Sequence, residues 1–233
     1  MLLQACLNGD RYPGAHAALP VTPEQLARDA ERAVMAGAGA LHVHPRDGDG
    51  RESLAAEHVH AALRAIRAVV PGTPVGVSTG AWIEPDVQRQ VAAICGWAGA
   101  DAPDFASVNL FEQGADEVRA ALLGIGVGIE GGLRDAADAS RVEPEGLVRI
   151  LIEPVEEDGA AAWATAQATA ERLAIEAPLL AHGSGLATWT VVDQAAACGW
   201  DVRIGLEDTL QLADGRLAAG NAELVERVAV VVD

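Results

Sequence analysis

The chain has no lysine, and all 16 of its basic residues are arginines. Schiff-base aldolases and pyridoxal phosphate enzymes need a catalytic lysine, and P-loop nucleotide hydrolases need one to bind phosphate. These three classes of enzyme are therefore excluded. Acidic residues outnumber basic ones, and the net charge of −18 argues against nucleic acid or an anionic membrane as a partner.

Cysteine and long apolar runs are scarce as well. Cys6, Cys95 and Cys198 are scattered and form no Cys-x-x-Cys pair, which predicts reduced thiols in a cytoplasmic protein and no thiolate metal cluster. The sequence has no run of about 18 apolar residues, so we predict no membrane-spanning helix. Residues 1–7 lack the basic region and the cleavage site of a signal peptide and are interpreted as a first strand.

Short apolar runs alternate with helical patterns along the chain, and no linker or low-complexity tract divides them, so we predict one domain, residues 1–233. The best-marked helix begins with the capping box Thr22-Pro23-Glu24-Gln25, and Gly37 is predicted to end it. Strands are predicted at residues 2–7, 40–44, 74–78, 105–110, 126–130, 148–152, 179–182 and 201–204. Further helices are predicted at residues 56–69, 86–96, 115–123, 134–140, 160–175, 188–198 and 222–230.

Eight strands with intervening helices predict an α/β fold, a (β/α)8 barrel, with a doubly wound open sheet as the alternative. Polar residues follow nearly every predicted strand, and only a barrel gathers all strand ends around one mouth. This placement favours the barrel. The polar residues are Asn8, Asp10, His42, His44, Ser78, Thr79, Ser107, Asn109, Glu130, Glu153, His182, Arg203 and Glu207.

Two histidine pairs have the same His-x-His spacing but different expected geometry. His42 and His44 lie on a predicted strand, where side chains two residues apart point the same way and can bind one metal ion. His58 and His60 lie on a predicted helix, where they are roughly 200° apart around the axis. We therefore predict a metal site at the first pair; the alternative is two structural histidines.

Glu207 follows the last predicted strand, in Arg203-Ile204-Gly205-Leu206-Glu207-Asp208. In a closed barrel this strand lies beside the first one, so Glu207 is expected to reach His42 and His44. Two histidines and one carboxylate leave a coordination position open, as in catalytic zinc sites. Arg203 and Asp208 would then supply a cation and a general base. The alternative is that Glu207 and Asp208 only begin a helix.

Three motifs, in the same order and with comparable spacing, resemble those of the β-keto acid cleavage enzymes: LHVHPRD at residues 41–47, VSTG at 77–80 and RIGLED at 203–208. Asn8-Gly9 and LPVTPE at 19–24 also match. The resemblance covers almost the whole chain and implies a zinc-bearing (β/α)8 barrel that is a homo-oligomer. It further implies an acyltransferase that converts a β-keto acid and acetyl-CoA into acetoacetate and a new acyl-CoA, by condensation and retro-Claisen cleavage.

The resemblance also implies roles for individual residues. The implied zinc ligands are His42, His44 and Glu207; the implied catalytic residues are Arg203, Asp208 and Ser78; the implied substrate-binding residues are Thr79, Ser107, Asn109, Asn8 and Glu130. Ser78 and Thr79 would hold the substrate carboxylate. Glycines follow Glu130 where a typical member has a second acid, which indicates a neutral or anionic β-keto acid at least as well as an amino-keto acid.

Other readings of these residues stay open. The same three ligands would serve a metal-dependent hydrolase or a class II-type aldolase, and a barrel that binds a ligand without turnover is a further alternative. His182-Gly183-Ser184-Gly185 is interpreted as a tight turn with a buried histidine, with an anion-binding turn as the alternative. Glu153 is interpreted as a rim residue, and Trp82 as a packing residue that can line the pocket.

Overall fold

The computed structural model describes residues 1–232, and within them eight parallel strands form a closed barrel. The strands are β1 (Leu3–Cys6), β2 (Ala40–Val43), β3 (Val75–Ser78), β4 (Phe105–Asn109), β5 (Gly128–Leu133), β6 (Leu147–Ile152), β7 (Leu179–Ala181) and β8 (Asp201–Ile204). Strand β1 pairs with β2 on one side and with β8 on the other, through Cys6↔His42 and Gln4↔Arg203. This closure confirms the predicted barrel and excludes the open sheet.

Seven α-helices lie in the described part of the chain: α1 (Pro23–Met35), α2 (Ala56–Val69), α3 (Val87–Cys95), α4 (Ala115–Gly124), α5 (Gly159–Glu171), α6 (Thr188–Ala197) and α7 (Asn221–Val232). The capping box predicted for α1 is present, because Thr22 accepts a hydrogen bond from the Gln25 amide while the Gln25 side chain bonds back to the Thr22 amide. Gly37, at a φ of +116°, follows the helix as predicted.

The strands are almost wholly buried, which leaves their carboxyl ends as the places where side chains reach a cavity. Around the strands, apolar helix faces pack against the barrel, as for Leu63 and Ile66 of α2 and Val191 of α6. The barrel therefore serves as a rigid frame that points the residues after β2, β4, β6, β7 and β8 toward one opening. None of the described helices is long and apolar enough to cross a membrane.

Two predicted elements differ from the structure. Strand β5 continues to Leu133 instead of ending at Glu130, because Gly131 and Gly132 pair with β4 and β6 on both sides and their backbone groups are satisfied without a turn. In place of the predicted helix at 134–140 there is a 3₁₀ turn, Asp138–Arg141. The Asp138 carboxylate accepts a bond from the Arg134 amide, and this local contact competes with a helix.

Candidate active site

Three potential metal ligands converge at the mouth of the barrel. The Nε2 atoms of His42 and His44 are 3.0 Å apart, and Glu207 Oε1 lies 3.8 Å and 3.5 Å from them. One potential ligand atom from each of the three residues lies within 4.8 Å of the other two. The predicted approach of Glu207 to the histidine pair is thus confirmed.

The chemistry of these side chains fits a divalent cation. Glu207 Oε2 is buried and has no hydrogen-bond partner within residues 1–232, which is costly for a carboxylate unless a cation binds it. Burial raises the pKa of Glu207, but Arg203 and the two histidines outweigh it and hold that pKa well below its usual range. Glu207 is therefore ionised at neutral pH, in the form that binds metal ions.

The pKa values of the two histidines shift in opposite directions. Burial lowers the pKa of His42 well below its usual value, so His42 is neutral and its Nε2 lone pair is free. Burial also lowers the pKa of His44, but Glu207 and Glu52 outweigh it and raise that pKa to about 9. A bound metal ion would take the place of that proton on Nε2, since a ligating imidazole is neutral.

Two glycines make room for Glu207. A Cβ on Gly205 would lie 1.9 Å from the carbonyl oxygen of Cys6, so only glycine lets the end of β8 approach β1 this closely. A Cβ on Gly9, which has a φ of +56°, would lie 2.4 Å from Glu207 Cγ. Residues 205–208 form a turn rather than a helix start, which overturns the alternative reading of Glu207 and Asp208.

Arg203 joins the metal-ligand group to Asp208. Its Nη2 donates to Glu207 Oε1 and to Asp208 Oδ1, the latter at 3.1 Å, and its Nε donates to Asp208 Oδ1 at 3.3 Å. The second oxygen of Asp208, Oδ2, is buried and has no hydrogen-bond partner in the described part of the chain. A carboxyl group that arginine holds by one oxygen, with the other oxygen unpartnered among the described residues, is suited to act as a general base.

A cavity of about 190 Å³ lies beside these groups. The residues that line it come from the ends of most strands: Asp10, His42, His44, Ser78, Trp82, Ser107, Asn109, Leu151, Glu153, His182, Ser184, Arg203, Glu207 and Asp208. Ser78, Ser107 and Asn109 therefore have the access to a ligand that was predicted for them, and Trp82 lines the cavity too. Their contact with a substrate stays a prediction.

Three of the predicted substrate-binding residues lie behind the cavity wall instead. Asn8 bonds to the His44 amide and carbonyl, each at 2.9 Å. Thr79 donates to the Ser107 carbonyl at 2.7 Å. Glu130 is wholly buried and accepts bonds from Gln4 and Ser107. The polar atoms of all three side chains already have protein partners. This geometry favours a role in holding neighbouring residues in place over direct contact with substrate.

His182 and Glu153 line the cavity on the side of Asp208. From the sequence, neither was predicted as a residue of the active site. His182 Nδ1 lies 3.1 Å from Asp208 Oδ1, and its Nε2 lies 3.5 Å from Glu153 Oε2. Burial and Arg203 lower the pKa of His182, but Asp208 and Glu153 outweigh them and raise it to about 9. The prediction that Glu153 lies at the barrel rim is wrong. Its side chain extends from the end of β6 into the space beside Gly132 and lines the cavity.

The second histidine pair behaves as the helical geometry predicts. His58 Nδ1 bonds to Ser53 Oγ at 2.8 Å, whereas His60 Nε2 bonds to the Trp97 carbonyl at 3.2 Å. The two rings have separate partners and do not converge. Glu52 also belongs to the site, although it was not predicted from the sequence. Its carboxylate lies 2.5 Å from His44 Nδ1.

Fold and site together define the class: a (β/α)8 barrel with two histidines and a glutamate around one point at the carboxyl ends of its strands. The chain belongs to the beta-keto acid cleavage enzyme family, whose sequence profile matches residues 1–145 and 157–233. The 3-keto-5-aminohexanoate cleavage enzyme of Fusobacterium nucleatum subsp. nucleatum is 29% identical over 255 aligned positions, covering 98% of this chain and 89% of that enzyme. The family resemblance found in the sequence is thus confirmed.

Solved structures resemble the chain in fold. Apo ObcA superposes with a TM-score of 0.69 at 19% identity, over 91% of this chain and 61% of ObcA, so the chain spans less than two thirds of that protein. Type I 3-dehydroquinate dehydratase from Clostridium difficile superposes with a TM-score of 0.65 at 13% identity, over 99% of this chain and 90% of the dehydratase. At these identities the likeness shows the barrel alone.

Proposed function

We propose that this β-keto acid cleavage enzyme is a zinc-dependent acyltransferase that exchanges a β-keto acid with acetyl-CoA. The products are acetoacetate and the acyl-CoA of the remaining acyl group. The observation that carries the proposal is the convergence of His42, His44 and Glu207 beside the Arg203–Asp208 pair, on one cavity. A hydrolase or an aldolase using the same three ligands is the competing candidate.

His42, His44 and Glu207 would hold the zinc ion, which when bound polarises a ketone oxygen as a Lewis acid. Arg203 contributes a buried positive charge to the same cavity, where it would stabilise the negative charge that grows during attack on a carbonyl. Asp208 accepts, on its free Oδ2, the proton whose removal starts attack on the thioester. Ser78, which lines the cavity, would donate a hydrogen bond to the substrate carboxylate.

The reaction conserves atoms without a redox partner or water. The methylene carbon of the β-keto acid loses a proton and bonds to the acetyl carbonyl carbon, while the thioester C–S bond breaks and releases CoA. The thiol of CoA then attacks the original ketone carbon, the bond from that carbon to the former methylene carbon breaks, and the latter carbon regains a proton. The acyl group leaves as a thioester and acetoacetate remains. Relatives support the thioester partner: ObcA, a fold neighbour, has been seen in a ternary complex with a C4-CoA adduct and oxalate.

The test has two parts. First, zinc content is measured in the purified wild type, in His42→Ala and Glu207→Ala, and in the control His58→Ala, whose ring lies on α2. We expect about one zinc per chain, lost in the first two variants and kept in the control. A wild type that stays free of metal after zinc reconstitution would overturn the proposal.

Second, a panel of β-keto acids is incubated with and without acetyl-CoA, and products are identified by mass spectrometry. Acetoacetate and a new acyl-CoA formed only with acetyl-CoA support the transferase. Loss of β-keto acid without acetyl-CoA, with free acids as products, would instead establish the hydrolase.

A further inference from the structure

The outer nitrogen of His44 contacts a carboxylate that no motif singles out. His44 Nδ1 lies 2.5 Å from Glu52 Oε1, on the far side of the ring from Glu207. The second oxygen, Glu52 Oε2, accepts a hydrogen bond from Trp82 Nε1 at 3.0 Å. Both oxygens of Glu52 are thus held, and its side chain is only 13% exposed.

A rigid turn carries Glu52 to this place. Residues 45–53 fold back on themselves: the Asp47 amide donates to the Arg51 carbonyl at 2.8 Å, and Arg46 and Glu52 form an antiparallel bridge. The buried Arg46 guanidinium donates to the carbonyls of Gly50 and Gly9, at 2.9 Å and 2.8 Å. The turn is therefore held by hydrogen bonds within it and by a bond to the loop after β1. These bonds position Glu52 beside His44.

His42 is oriented from its outer side as well, by a neutral group. Its Nδ1 lies 3.3 Å from Ser107 Oγ, whose own proton is donated to Glu130 Oε1 at 2.7 Å. Since the Ser107 hydroxyl proton is used in that bond, Ser107 accepts from His42 Nδ1–H. Each ring thus has its proton on Nδ1 and presents Nε2 toward Glu207, but only His44 has a carboxylate as its direct partner.

We propose that Glu52 is a positioning residue of the metal centre, and this inference rests on the proposed function. By accepting the Nδ1–H of His44, Glu52 fixes the tautomer that leaves Nε2 free, holds the ring in place and makes Nε2 a stronger donor to the metal. Partners of this kind strengthen metal binding about 10- to 100-fold in other proteins. Trp82, whose ring stacks over His44 with centroids 6.4 Å apart, fixes the carboxylate in turn.

The first test measures zinc affinity by competition with a chromophoric chelator, with no substrate present. Glu52→Gln keeps the shape of the side chain but removes its charge, and we expect its zinc affinity to fall about 10-fold; Glu52→Ala is expected to approach a 100-fold loss. The matched control is Glu57→Gln, because Glu57 also lies near a histidine, 3.6 Å from His58 Nε2, but is 79% exposed on α2. The control is expected to keep wild-type affinity.

The second test reads the tautomer directly. In long-range ¹H–¹⁵N spectra of the zinc-loaded wild type we expect His44 to carry its proton on Nδ1, with a resonance shifted downfield by the Glu52 bond. Trp82→Phe removes one bond to Glu52 but keeps Glu52 itself, so it is expected to weaken zinc binding less than Glu52→Ala does. Far-UV circular dichroism establishes that each variant is folded.

The outcomes separate this inference from the proposed function. A wild type that binds no zinc contradicts the proposed function and with it the role of Glu52. A wild type that binds zinc, with folded Glu52→Gln and Glu52→Ala variants of equal affinity, overturns the role of Glu52 alone. Loss of affinity in Glu57→Gln as well would also overturn it, because the effect would then be that of removing surface charge.

Discussion

Arg203 donates to one oxygen of Asp208 from two nitrogens, Nε at 3.3 Å and Nη2 at 3.1 Å, whereas the other oxygen has no hydrogen-bond partner among residues 1–232. The same guanidinium also donates to Glu207. One arginine therefore orients both the proposed metal ligand Glu207 and the proposed base Asp208, so their relative position depends on the end of β8.

Asp208→Asn tests the proposed base. The amide has nearly the same shape but cannot take up a proton, so we expect kcat to fall about 10²- to 10⁴-fold, while zinc content stays near that of the wild type. The measurement is steady-state turnover of acetyl-CoA together with metal analysis. The control is Asp193→Asn, an exposed aspartate on α6. Turnover that survives in Asp208→Asn would assign the proton transfer to another group.

His182 gives a prediction for pH dependence. Its pKa is raised to about 9 in the folded protein, where Asp208 and Glu153 face it and outweigh burial and Arg203, against about 6.5 in the unfolded chain. Because the folded pKa is the higher one, the stability that the charged His182 contributes is fully present below about pH 6.5 and is lost as the pH rises through about 9. Urea unfolding at pH 6 and pH 9.5 checks this.

In the same urea unfolding experiments, His182→Gln is expected to reduce the difference in unfolding free energy between pH 6 and pH 9.5. His58→Gln is expected to leave that difference unchanged. Imidazole resonances followed by NMR from pH 6 to pH 10 provide the second measurement. A His182 resonance that titrates below pH 7 would show that the two carboxylates do not hold the proton.

Gly205→Ala tests the close approach of β8 to β1. The added methyl group would meet a backbone carbonyl at 1.9 Å, and backbone cannot move aside as a flexible side chain can. We expect a loss of about 1–3 kcal/mol in unfolding free energy, or more, and weaker zinc binding because Glu207 follows in the same turn. Gly124→Ala is the control: no described atom lies within 4 Å of its Cβ position, and it ends α4, so little change or a slight gain is expected.

Glu153→Gln tests the charge of the cavity wall. Glu153 lines the cavity, and its buried Oε1 has no hydrogen-bond partner in residues 1–232. We expect the variant to raise kcat/KM for β-keto acids with an additional distal carboxylate relative to neutral ones, by about tenfold for one repulsive contact of roughly 1.4 kcal/mol. The exposed Glu157, changed to Gln, is the control. An unchanged ratio would place the substrate away from Glu153.

The histidine pair and the barrel were predictable from local spacing, and the predicted closure of the barrel then accounted for Glu207. His42 and His44 are two residues apart on one strand, and Glu207 is brought to them by closure of β8 on β1. Glu52 was not predictable, since its approach to His44 depends on how the turn at 45–53 folds back. Glu153 was misplaced for a related reason: the space it fills exists only because Gly132 of β5 has no side chain, and that is a contact between two strands.

Because β8 closes on β1, the group formed by His42, His44 and Glu207 can assemble only after the last strand is in place. During synthesis His42 and His44 emerge with the second strand, whereas Glu207 emerges only after all eight strands. A nascent chain that lacks β8 offers two imidazoles without their carboxylate, which is a weak and open site for any passing ion. The complete ligand set therefore awaits the last strand, and under the proposed function tight zinc binding would report that the barrel has closed.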